Sequence, residues 1–149
     1  MLQVRKLMES DWKIINSWFK KSSSKSLIDK DTFRKIMPGA FQLGNYEEKR
    51  IGLGGFMVCK ENHPIAATWL YLGNGNCAMP MNIISDSNYK DTDKNDAIQI
   101  LVNFTTDFAK DLGYKYTFTY TNNQHLLKSY LNAGYKKEDT LVNKLIKKL

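Results

Sequence analysis

The chain has 149 residues, 42% of them hydrophobic and 25% charged, and 22 lysines and arginines against 15 aspartates and glutamates give it a formal charge of +7. That length suits one domain with a core large enough to stand without staples, so residues 1–149 are read as a single unit. No apolar run reaches the ~18 residues of a membrane span and no charged-then-apolar leader opens the sequence, so the expectation is a cytoplasmic protein with no membrane partner. Cys59 and Cys77 lie in apolar strand-like runs and read as buried thiols, and no Cys/His spacing resembles a metal site. The positive charge admits an anionic partner. Yet only Lys20, Lys21 and Lys25, and the tail Lys144, Lys147 and Lys148, cluster, without interleaved aromatics, so a solvated face explains them better than nucleic acid does.

In chain order, Gln3 to Leu7 form a short opening strand. Ser10 then caps a helix that holds Asp11 in its first turn, runs to about Lys20 and turns Trp12, Ile15, Trp18 and Phe19 inward. The serine and lysine patch from Lys21 to Ser26 can bury nothing and reads as a connection. A second short helix is expected over Asp31 to Met37, stopped by Pro38 and Gly39. From Gly39 to Gly54 there is no period, and Gly52, Gly54 and Gly55 make no dinucleotide fingerprint because a strand follows them rather than a helix. Phe56 to Lys60 and Ile65 to Leu72 read as strands joined by a turn over Glu61 to Pro64, with Gly73 to Asn76 as the next turn.

The run from Cys77 to Tyr120 reads as one βαβ unit. The apolar CAMPMNIIS is a buried strand, DSNYKDTD is a loop, and from Lys94 onward Ala97, Leu101, Phe104, Phe108 and Leu112 fall on one helical stripe that Gly113 ends. YKYTFTY is the returning strand, reached by a right-handed crossover, and the start of the helix faces an anion-binding position. A closing edge strand is expected from Tyr135 to Lys137 and Leu141 to Leu149.

After that unit comes TNNQHLLKSYLNAGYKK, with Asn123, a tyrosine seven positions on at Tyr130, and then Gly134 and Tyr135. This pattern resembles the GNAT superfamily of acyl-CoA N-acyltransferases. The likeness covers nearly the whole chain in element order and carries residue-level motifs from Met79 to Tyr135. It implies an α+β fold, layered α/β/α, in which a mixed, mostly antiparallel sheet with a splayed parallel strand pair lies between helices. It also implies acetyl-CoA as co-substrate and, as acceptor, a primary amine of a small molecule or peptide, with the region around Asp31 to Met37 lining the acceptor pocket. Pairing of the chain with a second copy stays open.

By the same resemblance, backbone amides at Ile83 and Ile84 polarise the thioester carbonyl, and Tyr130 protonates the departing sulfur. Tyr130 also reads as an aromatic packed beside Leu126 and Leu127. Asn123, or Asn122 in its place, holds the pantetheine arm or simply caps the helix. The family's diphosphate loop corresponds to Thr92-Asp93-Lys94-Asn95-Asp96-Ala97, where only Ala97 fits cleanly and Asn95 stands in for a glycine; a loop two residues longer puts Lys90 at the cationic position. Asp91, Asp93 and Asp96 outnumber Lys90 and Lys94 there, so helix capping competes with anion binding. Asp86, just past the strand, serves either as general base or as a turn former, and Glu47, Glu48, Glu61, His63 and His125 have weaker claims. The rival reading is a module of this fold that has lost its coenzyme.

Overall fold

The structure, a computed structural model, describes residues 1–22 and 54–138. Five strands lie side by side in chain order: β1 (Leu2–Lys6), β2 (Gly54–Lys60), β3 (His63–Leu72), β4 (Cys77–Ser85) and β5 (Tyr116–Thr117). The first four pair antiparallel and β5 joins β4 in parallel. Among the described residues three helices flank the sheet: α1 (Trp12–Lys21), α2 (Lys94–Asp111) and α3 (Gln124–Asn132).

Strand alternation sends alternate side chains to opposite faces. Met57, Cys59, Ala67, Trp69 and Ile84 pack with Leu7, Ile15 and Trp18 on the α1 side, while Phe56, Val58, Leu70, Leu72 and Ala78 pack with Ala97, Leu101 and Ala109 on the α2 side. The mixed sheet between helical layers is the expected α+β arrangement. On the α1 face Gly55 permits close approach, since a Cβ there would meet Leu7 and sit 2.9 Å from Trp69 Nε1.

Several boundaries differ from expectation. The β2–β3 turn is only two residues long: Glu61 and Asn62 have φ of 48° and 71°, the backbone that matches strand twist, so His63 and Pro64 belong to β3. Asp11, not Ser10, occupies the N-cap of α1, and its side chain does no capping. It turns back to the Arg5 guanidinium through two bonds of 2.8 Å and accepts the Met8 amide at 2.7 Å. Burial pushes the Asp11 carboxyl upward, but Arg5 and the Met8 amide outweigh it and hold the group below the usual carboxylate range.

The inward stripe of α2 is rotated from the expected one. Ala97 and Leu101 are buried with Val102, Thr105 and Ala109, whereas Phe104 is 37% and Leu112 41% exposed. Small residues let the helix approach the sheet, and Phe104 and Phe108 flank the contact, each set edge-on to Phe56 with centroids 5.1 and 5.0 Å away. Gly113, at φ 91°, ends the helix as expected, its amide donating to Lys110 and that of Tyr114 to Ala109. Tyr135 to Lys137 carry no strand pairing. The expected helix over Asp31 to Met37, the stretch 39–53 and the edge strand over Leu141 to Leu149 lie outside the described residues. Among the described residues, no helix is long and apolar enough to cross a membrane.

Candidate functional site

The parallel pair β4–β5 matches only two rungs, Cys77 with Tyr116 and Ala78 with Thr117. The cause is one residue. Even-numbered carbonyls of β4 face β5: Ala78 accepts the Phe118 amide at 3.2 Å, and Pro80 accepts the next bond. A regular parallel ladder would continue with the residue-80 N–H donating to the Phe118 carbonyl, and proline has no N–H to give. The Pro80 carbonyl, which that ladder would pair with the Tyr120 amide, instead accepts the Thr119 hydroxyl at 2.8 Å. Backbone pairing ends there, and a side chain takes over the last link.

Further along β4 the register slips. Trp69 faces Met81 but Ala67 faces Ile84, so Thr68 alone stands opposite Asn82 and Ile83. This is a β-bulge, which re-aims the backbone beyond it. Thr68, wholly buried, donates its hydroxyl to the Met81 carbonyl at 3.0 Å and pins the slip. Beyond it the Asp86 amide bonds Ile65 of β3 at 2.8 Å, so strand alternation also points the Ile84 N–H toward β3, while Asn82 and Ile83 form the bulge itself. The Ile84 side chain is in the core, 8% exposed.

Tyr130 lies on the inner face of α3, 4% exposed. Its helix is set by Asn123, which caps it by accepting the Leu126 amide at 3.1 Å, and by Gln99 of α2, which donates to the Ser129 carbonyl at 3.0 Å. Asn122 is exposed beside that cap. The Tyr130 ring meets Tyr135 edge-on with centroids 5.0 Å apart. The Tyr135 hydroxyl is in turn held by Thr117 of β5 at 2.8 Å and by Thr106 of α2 at 3.1 Å. Burial pushes the Tyr130 phenol up to about 12, and a hydrogen bond with the Thr119 side chain draws it partly back. The phenol therefore stays protonated through the neutral range, as a proton donor must.

The β4–α2 loop is ordered by charge. Asp93 is the N-cap residue of α2, yet its carboxylate makes no cap bond. It pairs with Lys60 of β2 at 2.8 Å and accepts the Tyr89 hydroxyl at 2.7 Å, with Asp91 3.4 Å from the same lysine. Lys60, then Tyr89, hold Asp93 below the usual carboxylate range, and Lys60 is raised chiefly by Asp93. Lys94 donates to the Asp86 carbonyl at 2.6 Å; burial, then Lys90, lowers its affinity for a proton. Asp86 starts a turn by accepting the Asn88 amide at 2.9 Å, and His63, stacked on Tyr89, lies 4.0 Å from its other oxygen. Lys90, Thr92, Asn95 and Asp96 are exposed at the start of α2, and Ala97 is buried beneath them.

The structure thus brings Ile83, Tyr130 and Asn123 to the two sides of the parted strands and gathers Asp86, Lys90 and Lys94 around the loop. Pro80, Thr68, Thr119 and Lys60 are additions that reading residues in order missed. A proline inside a central strand was a visible signal. The two threonines and the lysine gain meaning only from partners distant in the chain. Among the described residues, no group of three or more His, Cys, Asp or Glu side chains is placed to hold a metal ion.

No model of a known protein family matches the chain, and no curated protein is similar to it in sequence. Solved structures are similar in fold. An aminoglycoside acetyltransferase from an uncultured soil metagenomic sample superposes with a TM-score of 0.66 at 15% identity, covering 98% of this chain and 95% of its own. Glucosamine-6-phosphate N-acetyltransferase from Arabidopsis thaliana gives 0.65 at 13%, over 99% of both chains. A Bacillus subtilis acetyltransferase in complex with CoA gives 0.64 at 15%, over 93% of this chain and 79% of that one. The fold is that of the GNAT acetyltransferases.

Proposed function

We propose that the chain, working as a single unit in the cytoplasm, is an N-acyltransferase that moves an acetyl group from acetyl-CoA to a primary amine of a small molecule or peptide. The observation that supports this reading is that β5 parts from β4 at Pro80, with a bulge farther along β4 at Asn82 and Ile83 and a buried tyrosine, Tyr130, on the helix that follows β5. On this reading the Ile83 amide and the Tyr130 phenol face the opening between the two strands.

The fit of acetyl-CoA is uneven along its length. The gap suits the thioester end: the Ile83 N–H is the donor for the carbonyl oxygen, and Asn123, with Asn122 beside it, borders the pantetheine arm. The diphosphate end has the exposed first-turn positions Asn95 and Asp96 above buried Ala97, with Thr92, Lys90 and Lys94 beside them, where a helix start favours an anion. Bound there, the coenzyme supplies an activated acyl group on a good leaving sulfur.

The chain's own groups then do three things. The Ile83 amide stabilises negative charge growing on the carbonyl oxygen as the amine nitrogen attacks carbon; removing one such donor costs about 10²–10³-fold in rate in comparable sites. Tyr130 gives its proton to the sulfur as the carbon–sulfur bond breaks and the sulfur keeps the electron pair. Asp86, through the oxygen that faces His63, accepts the proton that the amine sheds, and Tyr130 regains its own from solvent.

A second reading has its own support in the Lys60–Asp93–Tyr89 cluster, whose carboxylates oppose a diphosphate: the fold serves as a binding module without coenzyme. Calorimetric titration with acetyl-CoA separates the two. Saturable binding, with acetyl transfer to a panel of amines, is expected; no heat at millimolar coenzyme would end the transferase reading.

A further inference from the structure

We propose that Tyr135 is a positioning residue for Tyr130, the centre of a one-way chain of hydroxyls that fastens β5 to α2 at the place where β5 parts from β4. This deepens the acyl-transfer reading and rests on it for its catalytic consequence, though not for its physical test.

Three observations support it. First, the stop of α3 delivers Tyr135 to Tyr130. Gly134, at φ 91°, turns the backbone, its amide donating to the Leu131 carbonyl at 3.0 Å and the Tyr135 amide to the Tyr130 carbonyl at 3.1 Å. These are the paired bonds of a Schellman motif, in which the residues joined by the outer bond commonly bring their side chains together. Here those side chains are the rings of Tyr130 and Tyr135, edge-on with centroids 5.0 Å apart.

Second, the Tyr135 hydroxyl reaches two further elements, Thr117 of β5 at 2.8 Å and Thr106 of α2 at 3.1 Å, and the direction of both bonds is fixed. A hydroxyl has one proton to give. Thr106 gives its own to the Val102 carbonyl, one turn back in α2, at 2.9 Å, and Thr117 gives its own to Tyr135. The proton between Tyr135 and Thr106 therefore belongs to Tyr135. Each oxygen donates once, from Thr117 to Tyr135 to Thr106, and the chain ends on a backbone carbonyl of a helix whose Leu101 and Val102 are wholly buried.

Third, Thr117 is the last residue of β5 paired with β4. The Phe118 amide adds one bond to Ala78 at 3.2 Å before Pro80 ends the ladder. So short a pairing anchors β5 weakly, and the hydroxyl chain supplies a second attachment, to α2. The same residue thus holds the strand that borders the opening and the ring of the proposed proton donor.

The test is Tyr135→Phe, which keeps the ring and removes the hydroxyl. Hydrogen exchange of the Phe118 amide, the last backbone donor across the parted pair, reports how firmly β5 is held. Tyr135→Phe is expected to speed that exchange about tenfold while the amides of β2 and β3 keep their protection. It should also lower kcat for acetyl transfer about tenfold and change the KM for coenzyme about twofold at most, because the diphosphate end lies away at the start of α2. Thr106→Val, which removes the acceptor, should reproduce both changes, and Thr106→Ser, which keeps it, should stay near wild type. Unchanged Phe118 exchange in a folded Tyr135→Phe protein overturns the proposal, as does a loss of protection shared equally by β2 and β3, the mark of a purely structural role. A Ser variant that behaves like Val overturns it too, and so does faster exchange with kcat unmoved. Should Tyr135→Phe fail to fold, Thr106→Val is judged by the same criteria. Faster exchange at Phe118 in a protein whose wild type transfers no acetyl group would uphold the clamp and reject the acyl-transfer reading, so the two failures are distinct.

Discussion

The far end and the middle of the same strand, β4, handle polar groups in opposite ways. At its far end, in the loop leading to α2, charge is balanced in water: Lys60 answers Asp93 and Asp91, Tyr89 adds a bond to Asp93, and Lys94 is tied to a carbonyl. In its middle, where β5 leaves it, neutral hydroxyls and ring edges are balanced in a half-buried setting around the buried Tyr130. Exposed pairs are weak and screened by salt, so the loop can rearrange around a ligand with little loss. Half-buried hydroxyl bonds around a buried ring are less exposed to competition from water, so the middle of the strand holds its geometry and its shifted phenol more firmly. The difference teaches where rigidity and adaptability lie: on the proposed function, chemistry would fall to the stiffer neutral region and grip to the softer charged one.

The sharpest way to break that comparison is Tyr130→Phe. If the neutral region does the chemistry, acetyl transfer falls about 10²–10⁴-fold while circular dichroism and coenzyme binding stay near wild type. Undiminished transfer across pH would take the role from the phenol. Next is Pro80→Ala, which restores the missing N–H. The expected result is an added rung to Phe118, an unfolding free energy equal to or above wild type by about 1 kcal/mol of net hydrogen bonding, and coenzyme binding weakened about tenfold or more. Weakened binding without any gain in protection of the residue-80 amide from hydrogen exchange would place the cause elsewhere.

Smaller is the effect of alkaline pH on stability. The Tyr130 phenol is raised from 10 in the unfolded chain to about 12 in the folded one. Its contribution is therefore fully present below pH 10 and is lost as pH rises toward 12, because the unfolded chain gives up that proton first. Denaturant titrations across that window should lose about 2–3 kcal/mol that Tyr130→Phe does not lose. Smallest is the loop. Asp93→Asn leaves Lys60 with Asp91 alone and should tighten coenzyme binding at low salt, with the gain vanishing at high salt; equal affinity at both would mean that the lysine never meets the diphosphate.

The order of elements was legible because hydrophobic periodicity and turn residues are local signals: four strands, α1, α2 and the α3 cap at Asn123 follow from them. The rotated stripe on α2 was not, since a spacing of four and three cannot say which flank the sheet will press on. Nor could the two-residue β2–β3 turn be told from Glu61 to Pro64, because strand pairing draws His63 and Pro64 into β3. Tyr130 was singled out by its spacing, but the neighbours that brace it were not. Thr106 and Thr117 read as ordinary polar positions until folding sets both on the hydroxyl of Tyr135, whose ring packs against Tyr130. Lys60 and Asp93, 33 positions apart, likewise have no shared signature in the sequence.

β4 carries one residue more than the neighbour it is laced to, so everything past Thr68 runs a half-period out of phase with what precedes it. Excising a single residue at Asn82 or Ile83 would bring the strand back into phase. The bulge would close into regular lacing with β3, and if the acyl-transfer proposal holds, a sheet with fewer defects would lose the donor it assigns to a reacting carbonyl.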